Sequence, residues 1–307
     1  MFIKKDLRKI DEILDDKSEN GDSLNFSKRK AEFNGNVKAL FYKDNIACYE
    51  KLKKLNLYDN ALHDLNGVDT FTKYNILEDL NLGMNNISAI PFEFGKILSL
   101  KHVWLDDNEL EQFPSSLCSL KYLKTLHLSN NMIQTLPRSI SCLLNLELLA
   151  LDNNELNDFP TGVLEMKELT TLNLRQNKID ELPDNISQLL NLKVLSVSSN
   201  KLIILPDCLS AMESLTHVYL NANKINSLPN DLLYLPKLEM LNLANNDIDS
   251  LPFMWMDLFD HLDMTQIIQI DRKTIQCRNS DKKVITVESS HTGNMKINIS
   301  CNPFLVP

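Results

Sequence analysis

Leu123-Lys124-Thr125-Leu126-His127-Leu128-Ser129-Asn130-Asn131-Met132-Ile133 carries the pattern that decides the fold. It has leucine at the first, fourth and sixth places, asparagine at the ninth and an aliphatic residue at the eleventh. Leu126 and Leu128 alternate with polar neighbours, the signature of a short strand with one apolar face. Asn131 follows where the chain must turn, and its amide can both donate to and accept from backbone groups that a dry interior would leave unpaired. Each such group left unpaired costs about 1 to 3 kcal/mol. The frame recurs around Asn85, Asn108, Asn131, Asn154, Asn177, Asn200, Asn223 and Asn246, each 23 residues after the last, and an earlier copy at Asn60 makes nine. These nine asparagines are expected to form a structural ladder between stacked repeats.

A second pattern follows each asparagine from Asn85 onward. Ile90-Pro91, Phe113-Pro114, Leu136-Pro137, Phe159-Pro160, Leu182-Pro183, Leu205-Pro206, Leu228-Pro229 and Leu251-Pro252 use eight of the eleven prolines. Proline presets φ and suits the start of a helical turn. Apolar residues then return at a helix-like spacing, as in Ile140, Leu143 and Leu144 or Ile186, Leu189 and Leu190. The unit reads as strand, turn, short helix.

This frame resembles the leucine-rich repeat, a class of repeat architecture. The 23-residue period with its "LP" step is similar to the intracellular Ras-binding group, which includes the Scribble and Erbin proteins. The resemblance implies an α/β solenoid: a curved horseshoe with a parallel sheet on the concave face, short helices or turns on the convex face, and a cap at each end. It also implies a concave face that binds other proteins. The expected division is an N-terminal helical cap with a degenerate repeat over 1–51, a nine-repeat array over 52–252, and a C-terminal cap with an inserted hairpin and a terminal half-repeat over 253–307.

The chain of 307 residues can be one elongated array, because each repeat contacts only its neighbours. A net charge of −9 disfavours a nucleic-acid partner. The six cysteines contain no close Cys-x-x-Cys pair and no terminal cluster, so they are expected to be reduced and buried, with Cys118, Cys142 and Cys208 in the outer segments. Met1 to Asp16 has charges throughout and lacks the apolar centre of a signal peptide, and no run of eighteen apolar residues is present. A cytoplasmic or nuclear, monomeric protein that does not bind membranes is expected.

The ends depart from the frame. Ile3, Leu7, Ile10 and Leu14 fall at helical spacing, and Ser23 to Ser27 reads as a degraded repeat strand with Arg29 in the asparagine's place. Beyond Pro252, an apolar run from Phe253 to Leu262 is expected to cover the last repeat. The β-branched residues on either side of Arg278 to Lys283 suggest a hairpin, and Ile297, Ile299 and Asn302 restore half of the frame.

Catalytic signatures are missing: there is no G-x-S-x-G, no phosphate-binding loop and no H-E-x-x-H. The histidines have no metal-ligand spacing with cysteines. The expectation is a non-enzymatic scaffold or adaptor without cofactor, metal or catalytic residues. The alternative is a substrate-recognition subunit of a ubiquitin ligase or phosphatase. The expected partner is a protein, and the resemblance points to a small GTPase or signalling complex.

Because side chains alternate along a strand, the residues beside the strand leucines should face the groove. Among them His102, Trp104, Asp106, Asp107, Thr125, His127, Leu148 and Asp152 form one candidate binding group. Arg175, Val194, His217, Tyr219 and Met240 form another. Trp104 stands out, since the fold offers no reason for an exposed indole and tryptophan is enriched in interface hot spots. Carboxylates (Glu109, Glu147 and Glu155 besides those named) gather in the earlier repeats. Lys178, Lys193, Lys201 and Lys224 join Arg175 in the later ones.

Overall fold

The computed structural model describes residues 22–30, 35, 37, 50–73, 75–248, 252, 285–289 and 293–298. The expected N-terminal helix, the apolar run after Pro252 and the first arm of the expected hairpin lie outside them. Two compact units make up the chain, Met1–Glu155 and Leu156–Pro307.

In the first unit six three-residue strands lie side by side and parallel: β1 (Ser23–Asn25), β2 (Lys54–Asn56), β3 (Asp79–Asn81), β4 (His102–Trp104), β5 (Thr125–His127) and β6 (Leu148–Ala150). Their central residues, Leu24, Leu55, Leu80, Val103, Leu126 and Leu149, stand opposite one another and are buried. A one-residue slip would turn each of them out to water, so the leucine frame sets the register. The strand at Ser23 is thus a repeat strand, and the Arg29 backbone N–H donates to Asn60 Oδ1 at 2.6 Å, where a regular repeat would place an asparagine.

The second unit continues the rule with β7 (Thr171–Asn173), β8 (Val194–Ser196), β9 (His217–Tyr219) and β10 (Met240–Asn242), again parallel with buried Leu172, Leu195, Val218 and Leu241. Past the regular repeats come β11 (Ile285–Ser289) and β12 (Gly293–Asn298). β12 runs parallel to β10 with Ile297 opposite Leu241, and β11 lies antiparallel to β12. The antiparallel partner of Ile285–Ser289 is therefore the segment that carries Ile297, not the β-branched segment before Arg278.

The asparagines work as connectors. Asn131 donates through Nδ2 to the carbonyls of Leu105 (2.9 Å) and Leu128 (3.0 Å), and its Oδ1 accepts from the Leu110 N–H at 3.1 Å. Asn200 repeats the set in the second unit with Leu174, Val197 and Ile179. All nine are buried. The residue before each asparagine is left-handed, with φ of +54° to +58° from Asp59 and Met84 through Asn153 in the first unit and from Gln176 to Asn245 in the second. No glycine occupies any of these positions.

The outer segments are 3₁₀ turns rather than α-helices. Phe92–Lys96, Ser115–Ser119, Arg138–Cys142, Thr161–Glu165 and Asp207–Ala211 each begin directly after their proline, whereas Ile186–Gln188 and Leu232–Tyr234 begin three residues later. With three residues per turn, side chains three apart share a face. Ile140, Leu143 and Leu146 are accordingly fully buried, as are Ile186, Leu189 and Leu192. Leu144 and Leu190, which a helix of 3.6 residues per turn would have drawn inward, are instead 60% and 66% exposed. The same geometry corrects the reading of the cysteines. Leu117, Ile140 and Leu209 take the inward places, so Cys118 and Cys208 are half-buried and Cys142 is exposed; all three are free thiols. Stacking of the turns is tight at Gly95, where a Cβ would come within 2.4 Å of the Ser116 carbonyl oxygen.

Candidate binding face of the strands

With each central strand residue pointing inward, the residues flanking it stand on the open face. In the first unit this brings His102, Thr125 and Leu148 into one row and Trp104, His127 and Ala150 into the next. The Trp104 ring lies stacked on His127, with centroids 5.7 Å apart and planes 15° apart. His102 stands 6.1 Å from Trp104 at a tilt of 31°, and its Nδ1 shares a 2.9 Å hydrogen bond with Thr125 Oγ1. All four side chains are partly accessible. Ala150 is buried, so the aromatic surface ends in a step at β6.

One row further along the chain, Asp106 Oδ1 accepts the Ser129 backbone N–H at 3.0 Å, and Ser129 Oγ donates to Asp152 Oδ1. Burial pushes the Asp106 carboxyl above its ordinary range, opposed by the nearby His127 and the Ser129 N–H. Burial likewise lowers the His127 imidazole, while Asp106 and Asp152 pull it back up.

Other carboxylates expected on this face are placed differently. Glu147 pairs with Lys124 at 2.8 Å, Glu109 accepts from Asn86 Nδ2 at 2.8 Å, and Asp107 sits exposed at the left-handed turn. Lys124–Glu147, Lys101–Glu78 and Lys54–Asp79 link neighbouring repeats at the entry to the strands. Such exposed pairs are screened by solvent and add little to stability.

Asparagine at the strand exit has a role that the groove reading missed. Asn25, Asn56 and Asn81 each accept, through Oδ1, the backbone N–H two residues on. Asn173 and Asn242 do the same in the second unit. The i to i+2 spacing is that of an Asx turn, which a sequence can signal. Trp104, His127 and Tyr219 take the same strand position without that local bond to close.

In the second unit Val194, His217 and Met240 share one row, and Ser196, Tyr219 and Asn242 the next. His217 and Tyr219 are 6.3 Å apart with a 34° tilt, and His217 Nδ1 bonds Thr216 Oγ1 at 3.0 Å. Arg175, Lys178, Lys193, Lys201 and Lys224 are all exposed. Among the described residues no group of three or more His, Cys, Asp or Glu side chains is placed to hold a metal ion. No helix among them is long and apolar enough to cross a membrane.

Residues 98–156 and 167–225 match the leucine rich repeat family model. The chain is similar to a leucine-rich repeat protein of Leptospira interrogans, at 34% identity over 68% of this chain and 53% of that one, with a TM-score of 0.65. It spans about half of that relative's length. At 20% identity it shares its fold with the plant peptide hormone receptor RGFR1, solved in complex with RGF2, over 67% of this chain and 42% of the receptor chain (TM-score 0.54). At 19% identity it shares its fold with the internalin InlF of Listeria monocytogenes, over 66% of this chain and 70% of that one (TM-score 0.53). A search of curated proteins returns no match. The chain has the leucine-rich repeat fold, and residues 98–156 and 167–225 match the family.

Proposed function

We propose that this leucine-rich repeat chain is a non-catalytic scaffold or adaptor that binds a partner protein on the open strand face of its first unit, with Trp104 as the anchor. One observation carries the reading: a partly accessible indole is held in place by His127 and His102 although nothing in the leucine frame needs it there. Holding the ring in advance reduces the ordering that a partner would otherwise have to impose. Asp106 and Asp152 beside it favour a partner whose contact surface is basic around an apolar centre. That a plant peptide hormone receptor of the same fold is solved in complex with RGF2 supports a binding role. The reading extends to an intracellular signalling role, with a small GTPase among the partner classes to test first.

Paired affinity capture tests it. The wild-type chain and the Trp104→Ala variant serve as baits in the same native lysate, and the retained proteins are compared by mass spectrometry. A protein held by the wild type and lost from the variant is the expected result; identical sets from both baits would overturn the Trp104 site.

A further inference from the structure

Segments between an asparagine turn and the following proline line hollows against a neighbouring repeat. Two such hollows have nearly the same size. One, of about 500 Å³ in the first unit, is lined by polar side chains including Gln134 and Thr135. The other, of about 490 Å³ in the second unit, has Ile203 and Ile204 at the corresponding places. The hollow itself is a product of the fold, and only its chemistry distinguishes the second copy.

That chemistry is unusual for this position. The third and fourth residues after the asparagine are polar or small in every other full repeat, yet Ile203 and Ile204 stand 49% and 59% exposed. Adjacent exposed apolar side chains mark contact sites. Asp180, Glu181 and Asp184 surround them, all exposed and none in an ion pair among the described residues. Lys178 and Lys201 lie two residues before Asp180 and Ile203 and do not line the hollow. An apolar floor with three uncompensated carboxylates at its edge selects a ligand of opposite charge around an apolar centre.

We propose that this hollow is a second docking site, for an amphipathic peptide segment that places an aliphatic side chain on Ile203 and Ile204 and a lysine or arginine against Asp180, Glu181 and Asp184. It is independent of the strand face of the first unit, so Trp104→Ala leaves it intact.

The probe is a phage-displayed twelve-residue peptide library selected on the full chain, with counter-selection on an Ile203→Gln/Ile204→Thr variant that recreates the polar hollow. Enriched peptides should combine leucine or isoleucine with lysine or arginine. By fluorescence anisotropy they should bind the counter-selection variant at least tenfold more weakly, and likewise an Asp180→Asn/Glu181→Gln/Asp184→Asn variant. Matching melting curves confirm that both variants fold, which is expected because these side chains are solvent-facing. No enrichment, acidic or neutral consensus peptides, or equal affinity for the variants would overturn the proposal. So would concentration-dependent self-association that the Ile203→Gln/Ile204→Thr change abolishes, which would assign the hollow to a second copy of the chain.

Discussion

Trp104 and His127 lie face to face, 5.7 Å between ring centroids and 15° between planes, although 23 residues separate them in the chain. The contact exists because the repeat period sets Trp104 opposite His127 on adjacent strands. The imidazole supports one part of the indole surface while the leucine core lies on the other side of the strand. For this reason Trp104→Ala should cost no more than about 1.5 kcal/mol of stability, the scale of a stacked aromatic pair. In a Trp255→Phe background, acrylamide should quench Trp104 readily, and partner addition should shift its emission. A blue-shifted emission that resists quenching would place the indole in the core.

Asn154→Ala should be more damaging. Its Nδ2 holds the carbonyls of Leu128 and Leu151, and its Oδ1 holds the Ile133 N–H, all in the buried turn. Stranding those groups should lower the unfolding free energy by about 1 to 3 kcal/mol. Urea denaturation gives the number directly, and an unchanged midpoint would mean that water replaces the amide.

The left-handed position before Asn223 belongs to Ala222, at φ +58°. An alanine there carries roughly 1 to 2 kcal/mol of steric cost. Ala222→Val should therefore destabilise, whereas Ala222→Gly, which removes the clash but adds unfolded-state freedom, should be neutral or mildly stabilising. Thermal unfolding of the two variants should move in opposite directions or leave only the valine variant shifted.

His127 should titrate below its ordinary 6.5 in the folded chain. Its native form then binds fewer protons than the unfolded form, so its contribution to stability is present above pH 6.5 and is lost as pH falls through the depressed value. Asp106 acts in the opposite sense, since its carboxyl keeps a proton above 3.8 and its contribution declines as pH rises through that raised range. Proton NMR of the His127 ring separates the two. Asp106→Asn removes a carboxylate that favours the imidazolium and should lower the His127 midpoint further; a midpoint at or above 6.5 in the wild type would refute the burial argument.

Denatured without reductant, the chain should show six titratable thiols. In the native state Cys142, exposed at the end of its 3₁₀ turn, should react with a thiol reagent before Cys118 and Cys208. Cys118 should lag, because burial raises its thiol pKa despite the bond to Ser139 Oγ. Four or fewer thiols in the denatured chain would mean disulfides and a different compartment.

Much of this arrangement could be read from spacing. Leucines at the fourth and sixth places mark strand and register, and asparagine at the ninth marks the connector, because each position admits few alternatives once water is excluded. The outer segments were harder. Leu143 and Leu144 are equally apolar, and only the choice between 3.0 and 3.6 residues per turn determines that Leu144 faces water. Left-handed turns at Gln176, Ser199 and Ala222 were invisible because no glycine announces them. On the open face, Trp104 and His127 were identifiable as neighbours from the period, but the commitment of Asn56 and Asn81 to their own turns appears only when their side chains are placed. Ile203 and Ile204 are indistinguishable from core in the sequence, since an aliphatic pair in an aliphatic repeat shows its exposure only in the fold.

The asparagine bonds have a direction. Asn154 reaches back to Leu128 and Ile133 in the preceding repeat, and Asn223 reaches back in the same way to Val197 and Leu202. Either cut leaves strand groups unpaired, since backbone N–H donors run both ways between repeats, as from Lys124 back to Lys101 and from Leu105 on to His127. A cut after a repeat also strands the turn groups that the next asparagine would have satisfied, whereas a cut before a repeat only frees part of an asparagine side chain that can rotate toward water. The two ends are not equivalent, and shortening by whole 23-residue steps should be tolerated better from the front of the array than from the back.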